Sequence, residues 1–118
     1  SDIDSRVLTL ARKNLEAAGL ATHFRLQRTD LRDAAPPSGP PGIVLCNPPY
    51  GERMGADTDL VALYRTLGDT LKRRFAGYTA YVYTANMALS RQIGLRSSAR
   101  HILYNGNLEG RLLRFDLY

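Results

Sequence analysis

Residues 45–55, LCNPPYGERMG, can neither continue a strand nor begin a helix. Proline lacks the amide hydrogen that either structure uses, and each proline also restrains the residue before it. The chain is stopped and held stiff at one place, with Asn47 and Tyr50 at the two ends of the stiff part. Just ahead, Ile43, Val44, Leu45 and Cys46 form an apolar run of the kind buried in a parallel sheet. Before that run, residues 34–42 (AAPPSGPPG) carry nothing that forms a core and read as a stiff surface loop.

Around this stop the pattern alternates between helix and strand. Val7, Leu8, Ala11, Leu15 and Ala18 recur at helical spacing over residues 5–18, with Asp4 or Ser5 as N-cap and Gly19 as the C-terminal stop. Residues 22–27 read as a short strand with Phe24 and Leu26 on one face, and Asp30 falls just beyond its end. A helix over 59–75 carries the stripe Leu60, Tyr64, Leu67, Leu71 and Phe75. Lys72, Arg73 and Arg74 occupy its last turn, where cations suit the helix dipole.

Residues 79–84, TAYVYT, read as a strand, and a short helix is expected near 87–93. Two further strands, 98–104 and 111–118, enclose Asn105-Gly106-Asn107, a hairpin signal. This order predicts an α/β fold, a mostly parallel sheet ending in an antiparallel hairpin. Such sheets bind ligands at the carboxyl ends of their strands, which is where Asp2, Asp30 and Asn47 are expected.

At 118 residues the chain is one domain at most. Sixteen basic residues, fourteen of them arginine, against eleven acidic ones give +5, a balance that favours an anionic partner, nucleic acid first. The plain alternative is a basic surface that only keeps the protein soluble. A single cysteine, Cys46, leaves no intrachain disulfide to form, and a reducing cytoplasm is the simplest home. No run is long and apolar enough for a membrane span, and no signal peptide opens the chain. His23 and His101 show no metal-ligand spacing.

The stiff loop suits one kind of chemistry. The exocyclic amine of a planar base is a poor nucleophile because its lone pair is delocalised into the ring. Two fixed acceptors bonded to its two N–H groups favour a pyramidal nitrogen and turn the lone pair outward. An asparagine carbonyl and a neighbouring main-chain carbonyl can supply them, and an aromatic ring can hold the base flat. Asn47, Pro48, Pro49 and Tyr50 meet this specification in order. A strand-ending turn with no further role is the competing reading.

NPPY after an apolar strand resembles motif IV of the S-adenosylmethionine-dependent amino-methyltransferases. The longer stretch NPPYGERMG, with SDIDSRVLTLARKNLEAAGL at the start and YNGNLEGRLLRFDLY at the end, resembles the guanine-N2 methyltransferases of 23S ribosomal RNA. The resemblance covers nearly the whole chain. It implies a Rossmann-like class I methyltransferase fold and S-adenosylmethionine as methyl donor. Asn47 and the Pro48 carbonyl would bind the target amine, Pro49 would stiffen them, and Tyr50 would pack on the base. Asp2 would hold the cofactor ribose and Asp30 would lie near its adenine, with Asn47 counted among the cofactor contacts too. Arg53 is a candidate for a phosphate of the RNA.

One departure qualifies this. In the family a strand and a glycine-rich loop precede the residue matched by Asp2, and nothing here corresponds to them. Residues 1–118 therefore read as a partial methyltransferase domain, with the missing N-terminal part expected on the same polypeptide and no turnover expected of this piece alone. Two alternatives stand beside the guanine reading. One is methylation of another planar amine, adenine N6 or a protein glutamine. The other is a non-catalytic RNA-binding remnant.

Overall fold

The computed structural model describes residues 1–51 and 59–118, and the chain divides into two compact units, Ser1–Ala34 and Ala35–Tyr118.

The first unit is built on helix α1, Ser5–Ala17. Asp4 caps it, its carboxylate accepting from the Arg6 amide at 2.8 Å. Gly19, at φ +70°, ends it: the Leu20 amide donates to the Leu15 carbonyl and the Gly19 amide to Glu16, the paired bonds of a Schellman motif. The strand expected over 22–27 does not form. Ala21–His23 is a 3₁₀ turn, and the extended residues after it make one parallel bridge, Asp2 to Arg28. Phe24, expected on one strand face with Leu26, is 55% exposed. The pattern was sound locally, but a strand needs a partner of its own length, and among the described residues the segment pairs only through Asp2.

The second unit holds a four-stranded sheet in the order β1-β2-β4-β3. Strands β1 (Ile43–Cys46) and β2 (Thr79–Thr84) pair in parallel, and helix α2 (Leu60–Arg74) lies between them in sequence. A short helix, α3 (Met87–Ser90), and the 3₁₀ turn Arg91–Ile93 lead to the hairpin of β3 (Ala99–Asn105) and β4 (Leu108–Asp116). Strand β4 runs antiparallel to both β2 and β3. The hairpin turn is tighter than the sequence suggested. Asn105 pairs with Leu108, and of the two central residues only Gly106 has positive φ, the pattern of a type II′ turn.

Alternation along β2 makes the core. Ala80, Val82 and Thr84 are fully buried on one face, and Tyr64, Leu67 and Leu71 of α2 are buried with them. The Tyr64 and Thr84 hydroxyls hydrogen-bond at 2.9 Å, so neither polar group is buried unpaired. Strand β1 departs from its expected burial: Ile43 is 70% and Leu45 73% exposed. It is an edge strand, paired with β2 on one side only, and its other edge has no strand among the described residues. No described helix is long and apolar enough to cross a membrane.

Gly68 sets how closely α2 approaches the 3₁₀ turn, since a Cβ there would land on the Ile93 carbonyl. Alanine in place of a helical glycine would ordinarily gain about 1 kcal/mol of propensity. Against immovable backbone the overpacking term of about 1–3 kcal/mol dominates. We expect Gly68→Ala to lower the urea midpoint of unfolding, and a raised midpoint would show that the turn gives way.

Candidate acceptor site at the end of strand β1

Asn47 to Tyr50 leave the carboxyl end of β1 directly. The Asn47 side chain is exposed and makes no hydrogen bond to protein among the described residues. Pro48 and Pro49 are half-buried and carry no amide hydrogen, so the loop offers carbonyl oxygens with no competing main-chain donor at those two positions. At those two positions the main chain can only accept, as from an N–H₂ group.

Tyr50 is half-buried, and its ring meets Tyr83 of β2 edge to face, with centroids 6.1 Å apart at 74°. Tyr83 is itself pinned. It lies on the sheet face opposite Val82 and Thr84, crosses β4 and donates its hydroxyl to the Leu103 carbonyl of β3 at 3.1 Å. The crossing needs Gly110, because a Cβ there would run into the Tyr83 hydroxyl and ring. So the hairpin, far from residue 50 in sequence, holds the ring on which Tyr50 leans. Sequence reasoning saw the hairpin and missed Tyr83 and Gly110. The only local signal was a glycine inside a strand pattern, which often marks close approach of another group.

Beneath the loop, Thr84 accepts from the Asn86 amide at 3.2 Å as well as bonding Tyr64. Asn86 caps α3 by accepting from the Leu89 amide. Burial raises the Tyr64 phenol above its ordinary value and pushes the Cys46 thiol up to about 11. A neutral, half-buried thiol next to Asn47 is a packing group and not a nucleophile.

In the first unit, Asp2 and Asp30 lie beside the ends of two extended segments joined by the parallel bridge, with the Asp2 amide donating to Gln27 and Thr29 donating to Asp2. One Asp2 oxygen accepts the Asp4 amide at 2.8 Å, and the other has no protein partner among the described residues. That is a fitting acceptor for the hydroxyls of a ribose. Asp30 is more fully engaged: Arg32 donates its amide and Nε to one oxygen and Nη2 to the other, at 2.8–3.0 Å. Those bonds hold the carboxyl down at about 2. Of roughly four acceptor positions on a carboxylate, one remains. Arg53, the expected phosphate contact, lies outside the described residues.

Residues 1–114 match the family model described as UPF0020, RMKL-like, methyltransferase domain. The chain is 45% identical over 116 residues to the ribosomal RNA large subunit methyltransferase K/L of Methylococcus capsulatus, covering 98% of this chain and 16% of that protein. It is similar to the crystal structure of SMU.472, described as a methyltransferase and complexed with SAH, with TM-score 0.86 and 28% identity over 98% of this chain and 30% of that one. A predicted N6-adenine-specific DNA methylase from Listeria monocytogenes gives TM-score 0.78 and 27% identity over 96% of this chain and 28% of that one. The chain spans from 16% to 30% of the length of the curated relatives reached by these matches.

The raised thiol gives a pH test of the loop's packing. Cys46 should react with iodoacetamide only as pH approaches about 11, against 9 for an unperturbed thiol. A midpoint near 9 would show that the strand end is open to water.

Proposed function

We propose, because the chain belongs to the RMKL-like methyltransferase domain family, that it carries the acceptor half of a site moving a methyl group from S-adenosylmethionine to the N2 amine of a guanine in 23S ribosomal RNA. The observation that carries this reading is the loop at the end of β1, in which an exposed Asn47 and a braced Tyr50 flank two prolines that carry no amide hydrogen.

The cofactor, when bound, supplies an electrophilic methyl carbon on a sulfonium. The chain's own residues do the rest by orientation. The Asn47 side-chain oxygen and the Pro48 carbonyl each accept one N–H of the amine, and the lone pair is turned toward the methyl. Pro49 keeps the two carbonyls fixed. Tyr50 covers the face of the base, and Tyr83 keeps its ring from turning away. No strong base is needed, since the methylated nitrogen gives up its proton readily to solvent. Asp2 is assigned the ribose hydroxyls, Asp30 a contact near the adenine through its remaining acceptor position, and Asn47 a place beside the cofactor as well. Arg53 is assigned an RNA phosphate by its position in sequence alone.

In this reading the open edge of β1, with Ile43 and Leu45 exposed, takes the strand that precedes the glycine-rich loop, on a further segment of the same polypeptide. Ribosomal RNA as substrate puts the protein in the cytoplasm. The similarity to the Listeria DNA methylase supports adenine N6 as the second acceptor, because the same pair of acceptors would serve that amine.

Asn47→Ala in the full-length protein should lower methyl transfer to 23S ribosomal RNA by about 10²–10³, the usual cost of removing one fixed polar partner of the reacting group. The affinity for S-adenosylmethionine, read by calorimetry, should stay within a few-fold. Transfer that survives the substitution would remove Asn47 from the reaction and favour the RNA-binding remnant.

A further inference from the structure

A second feature of the larger unit is not used by this chemistry. A cavity of about 490 Å³ opens between the segment after α3 and strands β3 and β4. Its floor is apolar, formed by Leu113 and Phe115, and its walls carry Arg91, Arg96 and Arg100 with several serines. Among the described residues no acidic side chain lines it. The four ion pairs among the described residues use Arg6, Arg32, Arg111 and Arg114, so none of the three cavity arginines is neutralised there.

The arrangement is prepared for an anion in one particular. Arg100 donates its Nε to the Ser97 hydroxyl at 3.1 Å. That bond fixes the plane of the guanidinium and leaves both terminal nitrogens to donate as a fork, the geometry that suits phosphate oxygens. Ser97, having accepted, keeps its own O–H to donate. Three unpaired guanidiniums around one concavity repel each other until an anion enters, and side-chain hydroxyls beside arginines are usual contacts to a nucleic-acid backbone.

Position supports the same ligand. Strand β3 is at the opposite edge of the sheet from β1, three interstrand spacings or about 14 Å away. The cavity floor lies on the sheet face that carries Ala80 and Val82, opposite the face on which Tyr83 meets Tyr50, so an RNA strand joining the two sites would pass around the sheet margin. We propose that Arg91, Arg96 and Arg100 form a binding site for phosphodiester groups of the RNA strand whose base enters the loop at Asn47. This rests on the reading of the substrate as RNA.

The test is the salt dependence of RNA binding by the protein, followed by anisotropy with a short fluorescein-labelled single-stranded RNA. Each phosphate contact on a single strand contributes about 0.7 to the slope of log K against log salt. Arg91→Ala, Arg96→Ala and Arg100→Ala together should reduce that slope by about 2. A control carrying Arg12→Ala, Lys13→Ala and Arg73→Ala removes equal charge elsewhere and should reduce it by less than about 0.7. Equal losses in the two variants would show general charge attraction and overturn the site, as would an unchanged slope in the cavity variant. Lysine at all three positions separates loss of fold from loss of the fork, because it keeps the charge: the slope should persist while affinity falls. A wild-type protein without RNA affinity would instead remove the RNA reading of the whole chain.

Discussion

The larger unit depends on strand β2. It pairs with β1 on one edge and β4 on the other, and Ala80, Val82 and Thr84 on one face have no exposure to water. The hydroxyl pair of Tyr64 and Thr84 fastens helix α2 to that face. In a buried setting such a bond contributes only about 1 kcal/mol net, yet leaving either partner alone would cost about 1–3 kcal/mol. It acts less as a source of stability than as a register mark, since only one placement of the helix satisfies both groups. The opposite face of the same strand presents Tyr83 to Tyr50. One strand thus holds the helix on one side and braces the acceptor loop on the other.

The loop gains from this because its work is to be still. Ordering a residue's backbone costs about 1–2 kcal/mol. A proline at a compatible position recovers roughly 0.4–1 kcal/mol by restricting the unfolded chain. Two in succession lower the cost of holding the Asn47 and Pro48 carbonyls, and they also remove the main-chain donors at positions 48 and 49. Stiffness and acceptor character come from the same two residues. Among the described residues the aromatic brace is supplied from elsewhere, through Tyr83, Gly110 and the Leu103 carbonyl.

What could be read from the sequence follows the range of the forces involved. Capping of α1 by Asp4, its stop at Gly19, the stripe of α2 and the end of β1 at Asn47 are local matters of propensity, dipole and proline geometry, and each appears where expected. Residues 22–27 failed as a strand because strand formation is decided by a partner and not by the segment. Ile43 and Leu45 look like core by composition, but burial belongs to whatever covers the strand. The partner of Asp30 was hidden differently: nothing in the sequence singles out Arg32, two residues away, yet it occupies most of the carboxylate. Tyr83 and Gly110 could not be tied to Tyr50 without the fold, since the contact spans the sheet.

The central claim is that the loop at the end of β1 presents a pair of acceptors to the N2 amine of guanine. The most direct measurement is nucleoside analysis by mass spectrometry after the full-length protein has methylated unmodified 23S ribosomal RNA with isotopically labelled S-adenosylmethionine. The account predicts label in N2-methylguanosine. Label in N6-methyladenosine, or none in RNA at all, would contradict it.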